Sequence, residues 1–219
     1  MLPKIIIHNS VSIDCSITNF EPHMGLHYQI AGNYKPEAHL IGSNTIKRGI
    51  ELYEDGVPPE EKKDFQKQRR RKNLPYWVII DTHGKLKGLL HTCRRFEFCK
   101  DVIVLVSERT PKTYLNYLNE RNYDYHIVGK KQVNLKKGLE LLLDKYHVKT
   151  ILTDTGRILC NLLLNQGFVS EISLLIHPVI VGKKTYNMFS DIDNILKLKL
   201  SKMEILEKQY IWLVYIVEK

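Results

Sequence analysis

Two strand-to-helix turns most constrain what this chain can fold into. One is His39-Leu-Ile-Gly-Ser-Asn-Thr45 and the other is Thr150-Ile-Leu-Thr-Asp-Thr-Gly156, and each runs from a short apolar strand into a predicted helix. Free backbone N–H groups at a helix start, together with the helix dipole, form a ready anion site. Two such turns could hold the two ends of a phosphate-bearing cofactor, which favours an α/β enzyme. Ordinary helix capping by small polar residues is the alternative.

Short apolar runs alternate with segments of helical periodicity along most of the chain. We expect strands where β-branched runs end in turn residues, and helices where apolar residues recur every three or four positions. The predicted strands are Ile5–Val11, Ala38–Ile41, Tyr76–Asp81, Asp101–Val106, Tyr123–Val128, Thr150–Thr153, Ile172–Val181 (interrupted at His177-Pro178), Leu196–Leu206 and Tyr210–Val217. The predicted helices are Gly25–Asn33, Asn44–Tyr53, Pro111–Asn119, Leu135–Tyr146 and Arg157–Asn165.

This order predicts an α/β fold of three layers, in which helices cover both faces of a mostly parallel sheet with an antiparallel C-terminal edge. A chain of 219 residues suits a single core, so we expect one domain over residues 1–219. Residues 54–73 break the pattern with Gly56, Pro58 and Pro59 and then a charged run. We expect this segment to be an exposed excursion with two helical turns.

The formal net charge is +9, and much of the excess lies in residues 60–72, which carry seven basic and three acidic side chains. A solvated helical face or surface loop is the first interpretation of such a run. Contact with a phosphate group or with nucleic acid is the second.

Cysteine usage and hydropathy bear on the compartment. Cys15, Cys93, Cys99 and Cys160 are scattered and form no pair or cluster with zinc-ligand spacing, so we expect reduced thiols, no metal and a cytoplasmic protein. The longest apolar runs are too short to span a membrane, and the start of the sequence resembles a strand rather than a signal peptide.

Several common catalytic motifs are absent from the sequence. No two of the twelve glycines are separated by a single residue, so the dinucleotide fingerprint G-x-G-x-x-G does not occur. The P-loop, G-x-S-x-G and H-E-x-x-H patterns are missing as well. These absences disfavour a P-loop NTPase, a serine hydrolase and a zinc protease.

Carboxylates lie at or just after the ends of three of the predicted strands. Asp14 and Asp81 could each bind a polar ring or donate a proton at a strand end, or could simply form a turn. Asp154 could cap the next helix or orient the phosphate turn. His23, His27 and Tyr28 lie near Asp14 in the sequence and could stack on a heterocycle, although packing is the commoner role for such residues.

Taken together, these segments resemble one family over about residues 3–215: the reductase of riboflavin biosynthesis, which forms the C-terminal domain of the bifunctional deaminase/reductase and also occurs as standalone archaeal proteins. The resemblance rests on motifs in the family's order and spacing. They are Asn9-Ser-Val-Ser-Ile-Asp14, Gly42-Ser-Asn-Thr45, Pro75-Tyr-Trp-Val-Ile-Ile-Asp81, Asp154-Thr-Gly156, Gly167-Phe-Val-Ser-Glu171 and Pro178-Val-Ile-Val-Gly182.

The resemblance implies a dihydrofolate-reductase-like fold, a homodimer and reduction of the ribosyl group of a ribosylaminopyrimidine phosphate to ribityl with NADPH. Asn9, Ser12 and Asp14 would face the substrate, and Asp14 or water would supply the proton. The implied cofactor-binding residues are Gly42, Thr45, Asp81, Thr82, Thr155, Gly156, Arg157 and Ile158. Hydride transfer depends mainly on the cofactor and on correct placement of two carbons, so a missing catalytic triad is no objection.

The sequence departs from the family pattern at several points. Cys15 replaces the glycine after Asp14, Gly49 replaces an acidic residue expected to contact ribose, and Thr155 replaces a glycine. The family's arginine-bearing, phosphate-binding stretch is replaced by the 54–73 excursion, where residues 69–72 could substitute. These departures affect the substrate more than the fold.

Two other functions remain open at the level of the sequence. A reductase of a pterin, a folate or another small heterocycle would use the same fold. A nucleic-acid-binding module would use the basic charge instead, but the sequence lacks an aromatic-plus-basic recognition motif. We therefore expect a small-molecule substrate, no nucleic acid and no membrane.

Overall fold

The structure is a computed structural model that describes residues 2–53, 56–67, 70 and 73–218. In chain order its elements are β1 (Lys4–Ser12), α1 (Met24–Asn33), β2 (Ala38–Gly42), α2 (Ser43–Tyr53), β3 (Tyr76–Ile80), α3 (Leu90–Arg95), β4 (Val102–Val106), α4 (Lys112–Glu120), β5 (Asp124–Ile127), α5 (Leu135–Tyr146), β6 (Thr150–Thr153), α6 (Arg157–Asn165), β7 (Val169–His177), β8 (Leu198–Leu206) and β9 (Tyr210–Val217). Short 3₁₀ helices lie at Lys62–Phe65 and Gly182–Lys184.

The chain divides into two compact units. The first consists of Met1–Pro3 and Glu37–Lys149, and the second of Lys4–Pro36 and Thr150–Lys219. The expected single domain over residues 1–219 stays a prediction.

The first unit is a parallel α/β layer. Its strands run in the order β5-β4-β3-β2, and every pairing is parallel. Strand β4 is apolar and buried along its whole length, as expected of a parallel strand covered on both faces. Ile79 of β3, Val104 of β4 and Tyr114 of α4 belong to one buried cluster, so the core of this unit lies between its sheet and its helices.

The second unit is built around β1. Its strand order is β6-β1-β7-β9-β8, and β1 pairs in parallel with both β6 and β7. The final pairs, β7 with β9 and β9 with β8, are antiparallel. Leu26 and Ile30 of α1 pack against Leu175, Trp212 and Val214, which closes the core of this unit.

The predicted α/β class, mostly parallel strands with an antiparallel C-terminal pair, is confirmed. Most predicted elements agree with the structure to within one or two residues, and the short helix α3 was not predicted. Two segments differ further from expectation. Strand β7 begins at Val169 and ends at His177, because Pro178 lacks the N–H that a central strand requires. The expected two helical turns in the excursion are a single four-residue 3₁₀ helix, while residues 54, 55, 68, 69, 71 and 72 lie outside the described part of the chain. No helix in the described ranges is long and apolar enough to cross a membrane.

A buried guanidinium joins separate segments of the first unit. The Arg94 side chain is fully buried, and its Nε atom lies 2.9 Å from Asp101 Oδ1. The other nitrogens donate to three backbone carbonyl oxygens in two segments, that of Asp64 and those of the consecutive residues Arg121 and Asn122. Arg94 therefore connects the excursion, α3 and the loop before β5.

We expect Arg94→Met to lower the free energy of unfolding by about 3–5 kcal/mol, because it leaves Asp101 and three carbonyl groups buried without their donor. Urea denaturation of wild type and variant measures this change. Arg109→Met is the matched control, since Arg109 is exposed and its replacement should cost less than about 0.5 kcal/mol. Equal stability of the two variants would contradict a structural role for Arg94.

Candidate functional site

The carboxyl end of β1 carries the residues expected to face a substrate. Asn9 and Ser12 are buried on the strand, and Asp14 follows in the turn and is half-buried. The Asn9 Nδ2 atom lies 3.4 Å from the carbonyl oxygen of Thr155, so β1 is linked to the turn before α6. The Ser12 hydroxyl donates to Asp14 Oδ1 over 2.5 Å. The structure thus brings the three residues together at one end of β1.

The Asp14 carboxylate accepts hydrogen bonds from the loop that follows β7. The Val181 N–H lies 3.1 Å from Oδ1, the Gly182 N–H lies 2.8 Å from Oδ2, and the Thr185 hydroxyl also donates to Oδ2. The hydroxyls of Ser12 and then Thr185 are the main causes that hold the pKa of Asp14 well below its ordinary value of 3.8.

This environment bears on the expected role of Asp14 in catalysis. A general acid works best when its pKa lies near the working pH, and a carboxylate that stays ionised is a poor proton donor. The hydrogen bonds therefore favour a role for Asp14 in fixing the loop after β7. Its catalytic and substrate-binding roles stay predictions.

Cys15 adopts a left-handed backbone conformation, with φ of 59°. The family pattern has glycine at this position, and the geometry gives a physical reason, because only glycine enters this region without steric cost. Cys15 therefore carries backbone strain that the tight turn after Asp14 imposes.

The start of α6 holds four of the residues expected to bind the cofactor. Gly156 is the N-cap residue of α6, and Thr155 before it is buried. Arg157 is partly exposed, and Ile158 is 66% exposed. The first turn of this helix contains no acidic side chain, which leaves its positive dipole end uncompensated by a carboxylate within that turn.

The Arg157 side chain contacts two residues of the loop after β7, Asp191 and Tyr186. Its Nε atom lies 3.0 Å from Asp191 Oδ2, an ion pair that lacks the alignment of a hydrogen bond. The guanidinium carbon lies 4.2 Å from the centre of the Tyr186 ring. The expected contact of Arg157 with a cofactor stays a prediction, and its observed contacts are with the loop after β7.

In the first unit, Asp81 and Thr82 follow β3. Asp81 is fully buried, and its carboxylate oxygens accept hydrogen bonds from the backbone N–H groups of Lys85 at 2.9 Å and Leu86 at 3.0 Å. The Thr82 carbonyl accepts a hydrogen bond of 2.9 Å from the Thr110 hydroxyl. Both residues hold the turn after β3, and their proposed cofactor contacts stay predictions.

Gly42 and Thr45 lie at the junction of β2 and α2. Gly42 is the last residue of β2, and Thr45 lies in the first turn of α2, which also lacks an acidic side chain. The local arrangement expected from the sequence, a strand that enters a helix through a small polar turn, is present here and again at α6.

Arg70, one of the residues that could substitute for the family's phosphate-binding stretch, contacts carbonyl groups of its own unit. Its guanidinium donates to carbonyl oxygens at and beyond the end of α3, namely those of Arg94, Arg95, Phe96 and Cys99. A cation at the carboxyl end of a helix satisfies the last carbonyl groups of that helix. The other three residues of the 69–72 group lie outside the described part of the chain.

Sequence reasoning missed a buried polar network in the second unit. His8 Nδ1 lies 3.0 Å from Ser173 Oγ, and Ser10 Oγ lies 3.2 Å from His27 Nδ1. His27 Nε2 lies 3.7 Å from Asp154 Oδ2. Burial, and then the neighbouring His27, lowers the pKa of His8 to about 3, so His8 is neutral at physiological pH. His27 is buried as well, and its ring packs 4.5 Å from that of His8.

Solved structures share this fold along nearly the whole chain. A RibD structure from Acinetobacter baumannii matches with a TM-score of 0.70 and 18% identity over 99% of this chain and 58% of that chain. A pyrimidine reductase-like protein from Corynebacterium diphtheriae matches with a TM-score of 0.71 and 19% identity over 99% and 92% of the two chains. The riboflavin biosynthesis reductase Rib7 from Saccharomyces cerevisiae matches with a TM-score of 0.69 and 20% identity over 99% of this chain and 90% of that chain.

These likenesses define the class as an α/β protein of dihydrofolate-reductase-like fold, as predicted. The chain spans 58% of the length of the Acinetobacter RibD chain. The model of the RibD C-terminal domain family matches residues 3–212, so the chain belongs to that family. Among curated proteins, none matches the sequence.

We expect the hydrogen bonds to Asp14 to make stability depend on pH. Because folding lowers the pKa of Asp14 below 3.8, its ionised form stabilises the fold at neutral pH, and this contribution is lost as the pH falls through the ordinary carboxyl range toward the lower folded value. Asp14→Asn should melt below wild type at neutral pH, and the difference in Tm should shrink below about pH 4. Thermal unfolding across pH measures both.

Asp144→Asn is the control, because Asp144 is exposed on α5 and its replacement should leave the pH profile of wild type unchanged. A constant difference in Tm between wild type and Asp14→Asn at every pH would contradict the assignment.

Proposed function

We propose that this protein is an NADPH-dependent reductase of riboflavin biosynthesis, which reduces the ribosyl group of a ribosylaminopyrimidine phosphate to ribityl by hydride transfer. The observation that carries the proposal is the match of the family model to residues 3–212. Two structural neighbours, a riboflavin biosynthesis reductase and a pyrimidine reductase-like protein, support the same chemistry.

The start of α2 in the first unit and the start of α6 in the second unit each have features of a phosphate-binding helix terminus. Neither helix has an acidic residue in its first turn, and each begins in a turn of small residues at Gly42 and at Thr155-Gly156. Backbone N–H groups at such a start bind oxyanions without a charged side chain. NADPH, when bound, would supply the hydride, and the chain would bind and orient it.

Preference for NADPH over NADH is proposed from the charge on α2. Lys47 and Arg48 are exposed and line an open depression of about 390 Å³ together with Asn44, Glu51 and Leu52. Lys85 adds a third cation, since its Nζ atom lies 2.7 Å from Asn44 Oδ1. Cations at this place favour the ligand that carries the additional phosphate.

Substrate orientation is proposed for the end of β1. Asn9 is fixed by its bond to the Thr155 carbonyl, and Ser12 by its bond to Asp14. Rigid polar groups at the end of a parallel strand can position a heterocycle for attack at one carbon. The environment of Asp14 keeps its carboxylate ionised, so we assign the role of proton donor to water. Asp14 then has the role of orienting the loop after β7.

The test is NADPH oxidation with the ribosylaminopyrimidine phosphate, run beside dihydrofolate and a pterin and followed by loss of NADPH absorbance. Of the three substrates, we expect only the pyrimidine phosphate to be turned over, and we expect a lower KM for NADPH than for NADH. Turnover with dihydrofolate or the pterin alone would transfer the protein to the alternative reductase class. Salt-dependent binding of nucleic acid without any response to NADPH would refute a reductase.

The same assay tests the cations of α2. Replacing Lys47 and Arg48 with Glu should raise the KM for NADPH about tenfold and leave that for NADH nearly unchanged, since charge-assisted contacts contribute about 1.5–3 kcal/mol. The control replaces Lys136 and Lys137, two consecutive exposed cations of α5, with Glu. An equal rise in KM for both nucleotides would contradict the assigned preference.

A homodimer, expected from the family resemblance, is proposed to form through β8. This strand is exposed along nearly its whole length and ends the strand order of the second unit. Met203 and Ile205 are 65% and 68% exposed, and alternate residues of a strand share a face. An exposed apolar edge of this kind is typical of an interaction surface.

We expect wild type to sediment as a dimer and the Met203→Lys, Ile205→Lys double variant as a monomer, because two buried cations would oppose association. Ile127→Lys on β5 is the control, since Ile127 is also exposed on a strand, at 51%. Sedimentation velocity measures the mass. A dimer that persists in the double variant would move the interface away from this part of β8.

A further inference from the structure

The loop formed by residues 181–193 is held at two places in the second unit. Its first half is bound by Asp14, whose carboxylate accepts from Val181, Gly182 and Thr185. The adjoining Ser16 hydroxyl oxygen accepts from the Tyr186 N–H at 2.9 Å. The turn after β1 therefore fixes the start of the 181–193 loop.

The second half of the loop is bound by one face of α6. Arg157, Asn161 and Asn165 are spaced four residues apart, so their side chains lie above one another on successive turns. All three contact Asp191. The Arg157 Nε atom lies 3.0 Å and the Asn161 Nδ2 atom 3.5 Å from Asp191 Oδ2, and Asn165 Nδ2 donates to the Asp191 carbonyl over 2.9 Å.

Arg157 has a further contact with the same loop. The face of its guanidinium lies over the Tyr186 ring, at 4.2 Å from the ring centre. An arginine in the first turn of a helix is repelled by the helix dipole, and the Asp191 carboxylate beside it offsets that repulsion. The Nε side of Arg157 is thus occupied by the Asp191 carboxylate, and one face of its guanidinium by the Tyr186 ring.

We propose that Arg157 is a positioning residue, which acts through Asp191 and Tyr186 to fix the 181–193 loop and is not a ligand of a cofactor phosphate. The loop then links Asp14 at the end of β1 with the start of α6, so that each anchor influences the other. The expected effect on NADPH affinity rests on the proposed reductase function, whereas the expected effect on the 181–193 loop does not.

The experiment is a double-mutant cycle of Arg157→Gln, Asp191→Asn and the combined variant. Limited trypsinolysis of the cofactor-free protein reports the loop directly, because Lys183 and Lys184 are exposed within it. We expect each single variant to be cleaved there about fivefold faster than wild type, and the combined variant no faster than Arg157→Gln, since each single variant already removes the same partly exposed ion pair. NADPH affinity, from fluorescence titration, should weaken equally in both singles.

Glu204→Gln is the matched control, because Glu204 pairs with Lys202 over 2.7 Å on β8, and its loss should leave cleavage at Lys183 and Lys184 unchanged. The proposal is overturned if Arg157→Gln weakens NADPH affinity while Asp191→Asn does not, or if neither single variant accelerates cleavage in the loop. If no variant and not even wild type binds NADPH, the proposed function fails, and the cleavage rates still decide the role of Arg157.

Discussion

The parallel pairing of β1 with both β6 and β7 is the constraint on which the second unit depends. Parallel strands end at the same edge of a sheet, so the turn after β1, the turn before α6 and the loop after β7 are neighbours by necessity. β1 is buried from Ile5 to Ser12, so its position between β6 and β7 is fixed by the core. Asn9 and Asp14 link this strand to the turn before α6 and to the loop after β7, whereas His8 and Ser10 of the same strand belong to the buried histidine network.

Within each unit, polar residues at strand ends hold the protein's own turns and loops before they serve a ligand. Asp14 is fully engaged with the loop after β7, Asp81 closes a turn in the first unit, and Arg157 pairs with Asp191. A reductase tolerates this, because its reacting hydrogen comes from the cofactor and the protein mainly needs a fixed geometry. Fixed carboxylates and a fixed loop after β7 suit the proposed site, which would orient NADPH and the substrate while water donates the proton.

The sequence predicted the elements well where the apolar period was unbroken, and it failed where polar residues were buried in pairs. The start of β7 was missed because Ser170 and Glu171 interrupt the apolar run, yet Glu171 is buried in an ion pair with Lys4 at 2.6 Å. The hydrogen-bond partners of Asp14 could not be predicted from the sequence, because they include backbone N–H groups of Val181 and Gly182, and any residue type except proline supplies such a group. Arg157, Asn161 and Asn165 have the four-residue spacing of one helix face, but no local signal identifies Asp191 as their partner.

The pairing of β8 with β9 shifts register between Leu200 and Lys202, which places an irregularity in the middle of an otherwise open edge. A straight apolar edge would accept strand after strand and lead to open-ended polymerisation, whereas a bulge and an interspersed lysine limit the stretch that another backbone can follow. Whatever docks at this edge therefore meets a short, interrupted template. Such an edge favours a closed assembly of defined size over a growing fibre.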